Sequence, residues 1–122
     1  MDIEVGDVFW LTVTYPKTNE TETRPVVIYD IDNEILKIAS FATITTSKIE
    51  DFDYRYDKWK SPIFKWKEAG LDKPSYVKAN NIATINKEIF TSKNYIGKMS
   101  RSDLINAIRK IKEFENSKED PW

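Results

Sequence analysis

Thr23-Arg24-Pro25-Val26-Val27-Ile28-Tyr29-Asp30, a polar turn, and then Ile35-Leu36-Lys37-Ile38-Ala39-Ser40-Phe41-Ala42-Thr43-Ile44-Thr45-Thr46-Ser47 make up the stretch that decides the fold. Val26 to Tyr29 is a short apolar run rich in β-branched side chains, and the later segment is built the same way. Such runs suit strands covered on both faces. Asp30 to Glu34 is polar and carries Asn33, which suits a hairpin turn. If the two strands pair antiparallel, Arg24 at the start of the first lies near Thr45, Thr46 and Ser47 at the end of the second. A guanidinium is then set beside a row of hydroxyls at one rim of a sheet. Arginine grips phosphate with two N–H groups, and hydroxyls donate to phosphate oxygens. On these residues alone, a surface ion pair for Arg24 and ordinary strand-end threonines are the simpler account.

Outward from this hairpin, Val8 to Thr14 predicts a first strand, opened by Gly6-Asp7. Tyr15 to Thr23, with Pro16, Asn19, Glu20 and Glu22, predicts a polar and mobile loop. Past Ser47, the run Asp51-Phe52-Asp53-Tyr54-Arg55-Tyr56-Asp57 alternates strictly, and period two predicts a half-buried strand. Its rings are read as core rather than as a platform for stacked bases, because the charges between them are mostly acidic. Ser61-Pro62 predicts the start of a short inserted helix, with Gly70 placed to end it in a left-handed conformation.

Ser75 to Ala79 and Ile82 to Ile85 predict two short strands separated by Asn80-Asn81, and Tyr95 to Met99 one more. Ser100 and Asp103 have capping-box spacing. Leu104, Ala107, Ile108, Ile111 and Phe114 then mark one face of a C-terminal helix. Residues 116–122 read as a flexible tail.

A chain of 122 residues suits one domain spanning 1–122. Lys+Arg 19 against Asp+Glu 20 gives a net charge of -1, which argues against broad attraction to nucleic acid and leaves room for a local basic groove. The chain has no cysteine and no histidine. Disulfide scaffolds, thiol nucleophiles, Cys/His zinc sites and any histidine base are therefore excluded. The opening residues lack a signal-peptide core, and no apolar run approaches the ~20 residues of a membrane span. A cytoplasmic protein with no membrane partner is expected. Many short strands with two helices suggest a small, strongly bent sheet or barrel, mainly β within an α+β composition.

Four pieces of the chain resemble the MazF/PemK family of toxins from bacterial toxin–antitoxin systems. Gly6-Asp7-Val8-Phe9-Trp10 is similar to the family's opening strand, and Arg24-Pro25-Val26-Val27-Ile28 to its Arg-Pro strand. Ala69-Gly70-Leu71-Asp72-Lys73-Pro74-Ser75-Tyr76-Val77 resembles a segment of one branch. Ile82 to Lys87 together with Ile96-Gly97-Lys98-Met99-Ser100 resembles the last strands and the entry to the final helix. The match runs from Gly6 to about Phe114, and order and spacing together make it specific.

The resemblance implies an SH3-like barrel of the MazF/PemK/CcdB type that pairs into a homodimer. It implies a metal-independent endoribonuclease that needs no cofactor, cuts single-stranded RNA, chiefly mRNA, and is blocked by a cognate antitoxin. Position by position, Arg24 matches the catalytic arginine and Thr45 the catalytic hydroxyl residue, with Thr46 one residue away as the alternative. Lys17, Lys48 and Lys78 would extend a positive groove for substrate. Two departures stand out. The loop before Arg24 has none of the usual glycines, and Asn80 occupies the place of a family carboxylate. A carboxylate base would then come from Glu20 or Glu22. The competing expectation is a non-catalytic protein-binding module on the same barrel, like a gyrase poison or a phage accessory protein, with Trp122 as its anchor.

Overall fold

The computed structural model describes residues 2–35, 37–51, 53–54 and 57–122. Six strands, β1 (Asp7–Thr14), β2 (Thr21–Asp32), β3 (Ile38–Thr45), β4 (Lys60–Ile63), β5 (Ser75–Asn86) and β6 (Tyr95–Lys98), form one antiparallel sheet in the order β4-β5-β3-β2-β1-β6. A 3₁₀ turn covers Lys87–Ile89, and the chain closes with helix α1, Arg101–Ser117. The expected hairpin is there, with Val26 opposite Thr43 and Ile28 opposite Phe41. Alternate side chains of β2 feed two cores, which is why its apolar run is continuous. Val27 joins Val8, Ala42 and Ile44 beneath Ala107 and Ile111 of α1. Val26 and Ile28 join Phe9, Phe41 and Phe90 on the other face. Each buried Val, Ile or Phe among them contributes about 1.5–3 kcal/mol.

The sheet is bent but not closed. β4 and β6 are its edges, and no ladder joins them among the described residues. Closure by backbone pairing, which the barrel expectation required, is replaced by packing of a turn. Residues 64–70 follow β4 and press on β6 so closely that a Cβ at Gly97 would stand 2.4 Å from the Ala69 carbonyl oxygen. Only glycine allows that approach.

The same turn replaces the expected inserted helix. Ser61 and Pro62 lie within β4, an edge strand, where the missing proline N–H costs no ladder bond. From Lys65 onward a single helix-type bond forms, Ala69 N to Lys65 O at 3.2 Å. Gly70 (φ +84°) then stops it: Leu71 N donates to Trp66 O and Gly70 N to Lys67 O, both at 3.0 Å. That is a Schellman stop on a helix one turn long.

Other expectations shift for local reasons. The described part of 50–57 forms no strand; Phe52, Arg55 and Tyr56 lie outside the described residues. Here carboxylates take the backbone N–H groups that a ladder would use. Asp57 accepts from Glu50 N (3.1 Å) and Asp51 N (3.3 Å), and Asp51 accepts from Asp53 N (2.9 Å). Asn80-Asn81 interrupts pairing without dividing the strand. Ala42 faces Ile82 while Thr43 faces Lys78, so residues 79–81 bulge out of β5. The loop after β1 is shorter than expected, since β2 begins at Thr21.

Helix α1 starts as expected, with Ser100 accepting from Asp103 N. The Asp103 carboxylate does not complete the capping box. It accepts instead from Phe64 N (3.1 Å) and Lys65 N (2.9 Å), fastening the helix to the turn after β4. Residues 118–122 fold back over the sheet and end with Trp122 against β5.

Candidate active site

The antiparallel registers assemble the site from four strands. Val26, Thr43, Lys78 and Lys60 stand in one row across β2, β3, β5 and β4. Paired residues share a face, so the row two residues further along carries Arg24, Thr45, Tyr76 and Pro62. The sheet face that is apolar around Phe9 and Ile28 thus turns polar and cationic toward this end.

Arg24 and Thr45 line one pocket of about 450 Å³, together with Glu22, Thr46 and Ser75. The Arg24 guanidinium is held from two sides. One Glu22 carboxylate oxygen accepts from both Nε and a terminal nitrogen. The Tyr15 ring lies 5.9 Å from the guanidinium carbon, within cation–π range. Thr45 is nearly buried, and its hydroxyl oxygen accepts from Ser47 N at 3.1 Å, which leaves the hydroxyl hydrogen to donate elsewhere.

Lys78 is half-buried one row away. Burial, with Arg24 and Lys60 adding to it and Glu22 opposing, holds its amine below the usual lysine range. Lys60 is buried more deeply and is saturated. Its ammonium donates to Asp57 (2.7 Å), Ser47 Oγ (3.1 Å) and the Lys48 carbonyl (3.2 Å). It thereby fixes the chain just beyond Thr45 and Thr46. Burial also pushes the Tyr15 phenol up, with Arg24 opposing and Glu22 adding. At this corner Glu22 pairs with Arg24 and Asp57 with Lys60, and Lys78 stands opposite Lys60. Guanidinium, hydroxyl and ammonium are all groups that donate to phosphate oxygens.

The family model for the PemK-like, MazF-like toxin of type II toxin–antitoxin systems matches residues 4–114. The chain belongs to this family. Solved structures of MazF toxins share its fold at low sequence identity. The Mycobacterium tuberculosis toxin MazF-mt6 is 19% identical at a TM-score of 0.64, over 95% of this chain and 99% of that one. The MazE-MazF structure from Deinococcus radiodurans is 11% identical at 0.65, over 93% and 96%. An endoribonuclease in complex with its cognate antitoxin, from a mycobacterial species, is 17% identical at 0.62, over 96% and 95%. No curated protein matches the sequence.

Within this MazF-like fold the expected site residues separate into two groups. Arg24, Thr45 and Thr46 share the pocket. Lys78 stands beside it through the β3–β5 and β4–β5 registers. Lys17 is exposed on the turn between β1 and β2. Lys48 faces a separate hollow with Asp57 and Lys60 and serves Lys60 through its carbonyl. Asn80 is buried in the β5 bulge, and its carbonyl accepts from Trp122 N at 2.8 Å. Tyr15, Lys60 and Tyr76 had no signal in the sequence. Their places follow from strand register and from a loop closing back on itself, neither of which residue spacing encodes.

Proposed function

We propose that this chain is an endoribonuclease toxin that cuts single-stranded RNA, chiefly mRNA, at short sequences without a metal ion. It would act in the cytoplasm as a homodimer and be silenced by a cognate antitoxin, with the bent sheet serving as an opened version of the family's SH3-like barrel. The observation that carries this reading is the pocket shared by Arg24 and Thr45, with Glu22 on the guanidinium.

The chemistry needs only the RNA, these side chains and a proton from solvent. The 2′-oxygen of a ribose attacks its own 3′-phosphate, forming a P–O bond. The bond to the 5′-oxygen of the next nucleotide breaks, leaving a 2′,3′-cyclic phosphate. Glu22 is the nearest carboxylate to Arg24 and takes the proton of the 2′-OH; Asn80 could not. The leaving 5′-oxygen gains a proton from solvent. Arg24 meets the charge growing on the phosphoryl oxygens, Thr45 donates to one of them, and Lys78 draws the strand in. Glu22 must release Arg24 for this, so phosphate binding and base activation are coupled.

The binding-module alternative also draws on the net charge of -1 and on Asn80; its third support, Trp122 as an anchor, is weakened, because that indole donates to the Ile82 carbonyl of β5. The deciding experiment is incubation of purified protein with a long single-stranded RNA in EDTA, followed by mapping of the cut ends. Discrete cuts ending in cyclic phosphate, and none in the matching DNA, are expected, since DNA has no 2′-OH. An intact RNA together with capture of a protein partner would sink the nuclease reading.

A further inference from the structure

The bulge in β5 leaves backbone groups of residues 79–81 outside the ladder with β3. Such groups must find other partners. Ala79 N donates to Trp59 O at 2.9 Å. Two carbonyls at the bulge are taken by one residue: Trp122 N donates to Asn80 O (2.8 Å) and the Trp122 indole to Ile82 O (3.2 Å). The chain reaches this position by a left-handed residue after α1, Lys118 (φ 60°), and an ion pair from Glu119 to Lys58 at 2.7 Å.

Docked there, the indole meets the Tyr15 ring edge to face, centroids 5.5 Å apart at 84°. Tyr15 is the residue on which the β1–β2 connection closes. Its N–H donates to Glu20 O (2.8 Å) and its carbonyl accepts from Asn19 N (2.9 Å). Its ring carries the Arg24 guanidinium. A continuous line of contacts therefore runs from the β5 bulge through Trp122 and Tyr15 to Arg24.

We infer that Trp122 is a positioning residue for the candidate site, holding Tyr15 so that the β1–β2 connection and Arg24 keep their geometry. Its effect on activity rests on the nuclease reading; its effect on the loop does not. Trp122→Ala removes the ring and the indole donor. Trp122→Phe keeps a ring edge against Tyr15.

The test measures amide exchange and RNA cleavage on the whole 122-residue chain. In Trp122→Ala, protection of the Tyr15 and Asn19 amides should fall about 2- to 10-fold, the worth of one aromatic pair. Amides of β3 and α1 should keep theirs. The kcat for RNA cleavage should fall by the same factor with KM little changed, and Trp122→Phe should restore most of both. Unchanged Tyr15 and Asn19 protection in Trp122→Ala would overturn the inference. So would a loss spread evenly over β3 and α1, which would mark a purely structural tail, and so would failure of the Phe variant to restore. If wild type cuts no RNA, the nuclease reading falls, and the two amides still decide this point.

Discussion

Glu22 and Arg24 sit two residues apart on β2, and one oxygen of the Glu22 carboxylate accepts from two nitrogens of the Arg24 guanidinium. The residue proposed as base and the residue proposed to hold the transition state therefore neutralise each other in this structure. On the proposed reading, a phosphate entering the pocket would compete with Glu22 for Arg24 and free the carboxylate.

Arg24→Ala should lower RNA cleavage by ~10²–10³-fold, the usual loss for one charge-stabilising donor. Arg24→Lys should rescue poorly, since an ammonium cannot present a planar fork. The urea midpoint should hardly move, because this ion pair is substantially exposed.

Glu22→Gln should split the kinetic constants. Loss of the base should cut kcat by ~10²–10⁴-fold. Loss of the competing charge should lower KM. Steady-state kinetics on a short RNA checks both, and a fall in kcat with a rise in KM would remove Glu22 from the role of base.

Lys78 gives a pH signature. Its amine is held below the usual lysine range, so the folded state binds fewer protons there than the unfolded chain. Stability should rise with pH between the lowered folded value and the ordinary lysine value. RNA affinity should fall over the same alkaline window as the ammonium is lost. Lys78→Arg should flatten that fall, because guanidinium stays charged. Fluorescence-anisotropy binding across the alkaline range measures it.

Asp103→Ala should destabilise the protein by about 1–3 kcal/mol, because two N–H groups, of Phe64 and Lys65, lose their acceptor at a buried site. Urea unfolding followed by circular dichroism gives the number.

Much of this molecule was legible in its residues. The β2–β3 hairpin announced itself through β-branched runs, and it carries Arg24 and Thr45 at its rim. Helix α1 announced itself through Ser100 and the spacing of Ala107, Ile111 and Phe114. Two of the failures share a cause, which is competition for backbone hydrogen bonds. Period two lost, over the described part of 50–57, to carboxylates that cap the N–H groups of Glu50, Asp51 and Asp53. The helix signal at Ser61-Pro62 lost to pairing with β5. Register was the other gap: nothing in the spacing of Lys60, Lys78 and Tyr76 announces that they share the face of Arg24.

The pairing of β1 with β6 sets Asp7 opposite Lys98. During synthesis, everything that lines the Arg24 pocket up to Thr46 leaves the ribosome early. Strand β6, which pairs with β1, and the helix that fastens the turn after β4 leave later. Pairings this distant in sequence form late in folding. A nascent chain therefore carries Arg24 and Thr45 well before it owns the scaffold that fixes them.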